Sequence, residues 1–181
     1  NEFMFSNVTK AQVAGRIENA DLNGSLPAFM PEVFDLNVDP AAVGPATAIN
    51  RNFTPKSGSI GLIQNLPWDL VASVTGQYVE RAPRPAELFS RGAHEATGTF
   101  DIGNPNLGIE TAKSIEAGLR RATGPFRFEL TGYYTKFGGF IYRRLNGNTC
   151  EENVCQLGPG LELNQAIYSQ RDATFRGGEF Q

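Results

Sequence analysis

The sequence predicts an all-β protein, an antiparallel up-and-down transmembrane β-barrel of which this chain holds an incomplete set of about seven strands with long external loops. Two observations carry this prediction. Several segments alternate apolar and polar residues with a period of two, which gives each strand one apolar and one polar face. The connections between these segments alternate between short and long along the chain.

The first half of the chain contains four predicted strands. A short opening strand covers residues 2–6, and weaker alternation follows at residues 11–18 and 57–63. From residue 70 to residue 78 the even-numbered positions are mainly apolar and the odd-numbered ones mainly polar. Such alternation is typical of strands that separate two different media.

The second half adds three predicted strands. In the first of them, the adjacent residues Ile115 and Glu116 lie on opposite faces of the strand. The alternation is cleanest over residues 126–134 and is more broken over residues 166–181, where the pair Gly177 and Gly178 predicts a β-bulge.

The connections differ in length and composition. The short ones have turn chemistry and cover residues 6–10, 65–69 and 122–125. The long ones are polar or rich in Pro and Gly and cover roughly residues 23–52, 83–111 and 146–164. In an up-and-down barrel, strict alternation places every long loop at one rim, as in outer-membrane barrels. A soluble β-sandwich has similar strand polarity, but this alternation of loop length argues against it.

Composition excludes several other classes. The formal net charge is -3, the pI is near 5.2 and the sixteen Lys and Arg residues are scattered, so nucleic acid is not an expected partner. No apolar run reaches the ~20 residues of a membrane-spanning helix. The first residues also lack the basic and apolar regions of a signal peptide.

The two cysteines, Cys150 and Cys155, lie in a polar segment suited to a loop tip. We predict that they form a disulfide, which indicates an oxidising compartment such as the periplasm or cell exterior. The alternatives are two free thiols or half of a metal site, although the spacing is not that of a zinc site.

Three segments resemble the barrel of TonB-dependent outer-membrane receptors. Residues 81–89 read RAPRPAELF, residues 103–111 read GNPNLGIET, and residues 112–120 look like the next descending strand of that family. The residues that carry the motif are Arg81, Pro83, Glu87, Leu88, Phe89, Gly103, Asn104, Pro105, Leu107 and Glu110. Of these, Arg81, Glu87 and Glu110 are expected to pair and to hold the loop base in place.

The resemblance implies a receptor in the outer membrane of a Gram-negative bacterium. Residues 1–181 would then be an internal fragment of the barrel domain, with the plug domain absent. Such receptors bind a scarce metal or metal complex at external loops and import it with energy coupled through TonB. The implied partners are outer-membrane lipid, lipopolysaccharide, the TonB complex through the missing plug, and a small metal-containing ligand. The pair Arg143 and Arg144 is a candidate for contact with lipopolysaccharide phosphates.

The candidate ligand-binding residues are His94, Glu95 and Asp101, in a stretch that resembles the zinc or haem uptake branch of the family. Neutral imidazole suits Zn²⁺, which makes His94 a candidate metal ligand, and the two carboxylates could add oxygen donors. The alternative is that His94 is a solvated surface group. No cofactor is required; zinc, an iron complex or haem would be transported ligands.

Other functions remain as alternatives. A passive porin or a soluble β-rich adhesion or binding module would also be rich in strands. We do not expect an enzyme, since the sequence contains no nucleophile elbow and no phosphate-binding glycine loop.

Overall fold

The computed structural model describes residues 2–26, 46–151 and 154–181 of the protein. Seven strands form one continuous wall. They are β1 (Glu2–Met4), β2 (Thr9–Ile17), β5 (Lys56–Leu66), β6 (Leu70–Arg81), β9 (Glu110–Arg121), β10 (Phe128–Glu151) and β12 (Leu163–Phe180).

Shorter elements lie between the wall strands. They are β3 (Ala20–Leu26), β4 (Thr47–Phe53), the helix α1 (Pro85–Phe89), β7 (Arg91–His94), a 3-10 turn (Glu95–Thr97), β8 (Thr99–Ile102) and β11 (Val154–Gln156). The prediction of about seven strands is therefore confirmed for the wall. The predicted long loops contain further short strands, in which the period-two alternation covers too few residues to be recognised.

The wall has the order β1-β2-β5-β6-β9-β10-β12, and every pair of neighbours is antiparallel. The three predicted tight turns join β1 to β2, β5 to β6, and β9 to β10. The long connections follow β2, β6 and β10. All of these therefore leave from the same rim, which we name the loop end.

The wall has one apolar face. Cross-strand register aligns its residues in rows that include Val13–Ile60–Gly76–Ile115–Tyr134 and Ala11–Leu62–Val74–Ala117–Gly132. Ile60 is 63% exposed and Ile115 is 54% exposed. In a soluble sandwich a second sheet would bury such side chains, whereas in a membrane barrel they face hydrocarbon.

The opposite face of the wall is polar. One of its rows contains Gln12, Gly61, Thr75, Glu116 and Tyr133. In the part of the chain that the structure describes, no helix is long and apolar enough to cross a membrane.

The position of the irregularities in the strands differs from the prediction. The register runs without interruption through Gly177 and Gly178, so the predicted bulge is wrong there. Tyr133 packs across Gly177, whose missing Cβ would lie 2.7 Å from the tyrosine hydroxyl, so close packing explains this glycine. The irregularities instead fall between Phe137 and Phe140 and between residues 145 and 149.

Buried residues concentrate at the loop end, since the wall itself is a single layer. One cluster contains Phe53, Leu88, Leu107 and Ile141. The other contains Phe100, Ile102, Cys150, Cys155 and Ile167. These small cores attach the long connections to the ends of β10 and β12.

Candidate functional site

Arg81, at the loop end of β6, joins the two halves of the sequence motif. Its guanidinium donates to Glu87 at 2.8 Å and to both carboxylate oxygens of Glu110 at 3.3 and 3.1 Å. Glu87 also accepts the backbone N–H of Arg84 at 2.8 Å and so caps α1. The expected pairing of Arg81 with Glu87 and Glu110 is therefore present.

Glu110 has a second function in the backbone of the wall. Its carboxylate accepts the N–H of Ile141 at 2.7 Å, just beyond the irregularity in β10. A bulge leaves backbone groups without ladder partners, and this side chain supplies one. Glu110 is only 8% exposed, so both contacts are shielded from bulk water.

The apolar part of the motif forms a small core. Leu88 and Leu107 are buried in the same cluster, with Phe89 packed against it, and Pro83 is also buried. Gly103 permits this packing, because a Cβ at that position would lie 2.5 Å from the carbonyl carbon of Leu88. Phe89 packs in the same way on Gly24 of β3, where a Cβ would lie 2.5 Å from the ring.

The Asn-Pro part of the motif folds into a turn held by hydrogen bonds. Asn104 donates its backbone N–H to the Glu87 carbonyl at 2.8 Å, and its side chain accepts the N–H of Asn106 at 3.0 Å. Arg51 of β4 donates to the carbonyls of Pro105 and, at 3.0 Å, Leu107. The motif residues therefore have structural roles, and Arg51 is a contributor that its separate position in the sequence did not reveal.

Between the two parts of the motif, the chain forms a β-ribbon that joins the sheet. β7 pairs with β8 in antiparallel fashion, and β8 then pairs in parallel with the start of β12, from Asn164 to Ile167. This parallel pair is an addition to the up-and-down wall. It carries the predicted ligand-binding residues to the ends of the long wall strands.

A cleft of about 550 Å³ opens between α1, the β7–β8 ribbon and the two long strands. Side chains on its wall include Ser90, Arg91, His94, Asp101, Arg143 and Tyr168. The hydroxyl of Ser90 is buried and makes no hydrogen bond with the described residues. Burial lowers the pKa of the Arg91 guanidinium, because removal from water disfavours its charged form.

The predicted ligand residues have separate environments. His94 is exposed and its Nδ1 lies 2.9 Å from the Thr97 hydroxyl, while Glu95 is exposed in the 3-10 turn and is not on the cleft wall. Asp101 is 6% exposed and pairs with Arg143 at 3.2 Å. Among residues 2–26, 46–151 and 154–181, no group of three or more His, Cys, Asp or Glu side chains is placed to hold a metal ion.

A chain of hydroxyl groups connects His94 with the ion pair of Asp101 and Arg143. Thr97 lies 2.8 Å from the Thr99 hydroxyl, and Thr99 donates to Asp101 at 2.7 Å. Arg143 contacts both hydroxyls as well as the carboxylate. Contact of Arg143 and Arg144 with lipopolysaccharide stays a prediction, and within the protein Arg143 pairs with Asp101.

The predicted disulfide between Cys150 and Cys155 is present. It links β10 to β11, and the two half-cystines are 0% and 1% exposed. They pack on Phe100, Ile102 and Ile167, so the bridge belongs to the core under the β7–β8 ribbon.

The comparisons with known proteins agree with this architecture. The family model for the TonB-dependent receptor-like β-barrel matches residues 5–181. One similar structure is that of the Serratia marcescens hemophore receptor HasR, a double mutant in complex with its hemophore HasA and heme. It has a TM-score of 0.61 and 15% identity, and the match covers 96% of this chain and 29% of that one. Another is the copper transporter OprC, with a TM-score of 0.65 and 17% identity over 99% of this chain and 24% of that one.

At these low identities the structural likeness shows the fold alone, and the chain spans less than a third of the length of either structure. The family match, in contrast, covers nearly the whole chain. The apolar outer face, the tight turns at one rim and the long connections at the other are those of such a barrel. The chain belongs to the TonB-dependent receptor β-barrel family and forms part of the barrel wall of a Gram-negative outer-membrane protein.

Proposed function

We propose that this chain is part of a receptor that binds a scarce metal complex at its loop end and imports it with energy coupled through TonB. The observation that carries this proposal is the cleft beside the β7–β8 ribbon. It combines one exposed imidazole, two guanidinium groups and a buried hydroxyl without a partner among the described residues. Convergent polar groups of this kind orient small ligands.

The metal-ligating atoms of the cleft favour a metal that is already bound in a complex, rather than a bare metal ion. His94 contributes one nitrogen, and the carboxylate of Asp101 is already paired with Arg143. A zinc site normally has three or four protein ligands, which the described residues do not assemble. A complex brings most of its own donor atoms and leaves a single coordination position for His94.

Two similar barrels provide independent support for metal-containing cargo. One is named for a hemophore and was solved with heme, and the other is named a copper transporter. Movement through such a barrel requires a plug and the TonB complex as partners, and breaks no bond in the cargo. We therefore expect uptake to depend on the proton gradient.

A binding titration of the full-length protein in detergent tests the ligand contact. Haem, Zn²⁺ and a ferric chelate are titrated into the wild-type protein, a His94→Ala variant and a Glu95→Gln variant. We expect His94→Ala to weaken binding of one of these probes by about tenfold or more, the loss of one metal–ligand interaction. Glu95→Gln serves as the control, because Glu95 does not line the cleft. Equal affinities in all three proteins would contradict the contact.

An uptake assay in living cells tests the coupling. Growth on the bound metal source as sole supply is compared in strains with and without TonB. We expect growth to require both the receptor and TonB. Uptake that continues without TonB would identify a passive porin instead.

A further inference from the structure

We propose that the outer surface of this wall carries a binding site for the phosphate groups of a lipopolysaccharide molecule. The site consists of Lys113 on β9, Lys136 on β10 and Arg176 on β12, which we name the basic patch. It lies on the apolar face, away from the ligand cleft, and its argument is independent of the transported cargo.

The register brings these cations together. Lys113 and Lys136 are direct cross-strand partners, and Arg176 is the partner of Tyr134, two residues from Lys136. Directly opposed side chains in antiparallel strands have Cβ atoms about 5 Å apart, and like charges at that distance repel. A bound anion would relieve this repulsion.

No carboxylate of the described residues forms an ion pair with the patch. The ion pairs in that part of the chain involve Lys10, Arg16, Arg81 and Arg143, and none of the three patch residues. Lys113 lies 6.0 Å from the centre of the Tyr78 ring, a contact that leaves its charge in place.

Two acidic groups on the surrounding strands have other hydrogen-bond partners. Glu80 accepts the Tyr78 hydroxyl at 2.5 Å and the backbone N–H of Lys56 at 2.8 Å. Asp172 accepts the N–H of Gly139 at 3.1 Å. All three patch cations are exposed.

The height of the patch matches the lipid headgroups. Lys113 precedes Arg121, at the tight-turn end of β9, by eight residues, or about 26 Å along a strand. A tilt of about 40° reduces this to a height of about 20 Å, near the outer edge of an apolar band about 25 Å tall. Below the patch, Ile115 and Tyr134 lie on the same face and suit acyl chains.

Lysine and arginine bind phosphate through charge-assisted hydrogen bonds. The outer leaflet of the Gram-negative outer membrane consists of lipopolysaccharide, whose phosphates lie at this level. Headgroup phosphate next to acyl chains therefore fits cations that adjoin an apolar face. Free phosphate shares the charge but not the acyl chains.

The test measures lipopolysaccharide binding to the full-length protein in detergent by native mass spectrometry. The triple variant Lys113→Gln, Lys136→Gln, Arg176→Gln is compared with a matched variant that removes three cations near the tight turns, Lys10→Gln, Arg120→Gln, Arg127→Gln. We expect the affinity of the patch variant for lipopolysaccharide to fall by about tenfold or more, since each charged hydrogen bond contributes about that factor. The matched variant should bind as the wild type does.

Two further arms use the wild-type protein, so the test does not depend on the folding of a variant. Lipopolysaccharide stripped of its phosphates should lose the same binding, and millimolar inorganic phosphate should not displace the intact lipid. Equal binding of stripped and intact lipid would overturn the proposal. Complete displacement by inorganic phosphate would identify a free-phosphate site and overturn it as well.

Discussion

Arg81 and Glu110 form a two-point ion pair across β6 and β9, with nitrogen–oxygen distances of 3.3 and 3.1 Å. Because Glu110 also accepts the N–H of Ile141, this pair connects three consecutive wall strands at the point where the loops begin. The same guanidinium contacts Glu87 of α1. The long connection that follows β6 therefore starts from a fixed base.

Glu110→Gln should destabilise this base. The substitution removes the charge opposite Arg81 but keeps the size of the side chain. We expect a loss of about 1–3 kcal/mol in the free energy of unfolding. The loss should fall at the lower end of this range, because water partly screens the charge of Arg81. Urea titration of the folded barrel in detergent measures it. Glu116→Gln, on the same strand and without a partner in the described ion pairs, is the control and should change little.

Gly103→Ala should be costly because the new methyl group would overlap the Leu88 backbone, which cannot move aside as a flexible side chain can. Overpacking of this kind costs about 1–3 kcal/mol. Proteolysis of the loop end should become faster. Gly92→Ala is the matched control, since no heavy atom lies within 4 Å of a Cβ placed there. Similar effects of the two substitutions would refute the packing explanation.

Arg143→Gln should loosen the β7–β8 ribbon. Without the guanidinium, the buried carboxylate of Asp101 keeps the hydrogen bond from Thr99 as its described contact. We expect amide exchange in β8 to become faster, because the free energy of local opening falls by about 1–3 kcal/mol. The neighbouring Arg144 takes part in none of the ion pairs of the described residues. Arg144→Gln should leave exchange unchanged, and an equal response would contradict a specific role for Arg143.

Removal of the disulfide should expose the second core cluster. Replacement of Cys150 and Cys155 by Ala ends the covalent constraint on the β10–β11 hairpin. For a ring this small we expect a loss of about 2 kcal/mol. Protease sensitivity around β11, with and without a reducing agent in the wild type, measures the effect. Alkylation of both cysteines in the unreduced native protein would instead demonstrate free thiols.

Adjacent residues on β9 test which face meets hydrocarbon. Ala117→Lys places a charge on the apolar face about midway up the band, at a cost of about 2–4 kcal/mol. Glu116→Lys places the same group on the polar face and should cost much less. Unfolding in lipid vesicles compares the two. Equal costs would refute the assignment of the faces.

Period-two alternation predicted the seven wall strands, because side-chain direction in a strand follows from position alone. Loop lengths predicted the rim from which the long connections leave. The disulfide was predictable since Cys150 and Cys155 are close in sequence. Residues 27–45, within the first predicted long loop, lie outside the described residues.

The sequence by itself determined the class of the protein, its two-faced wall and the family motif, all of which depend on local order along the chain. Only the tertiary structure decided that Asp101 belongs to Arg143, that Arg51 holds the Asn-Pro turn, and that Lys113 opposes Lys136. These partners are separated by tens of residues and meet through strand register or loop packing. A single sequence carries no direct signal for such pairs, since their spacing is set by the length of the connections between them and not by a repeating pattern.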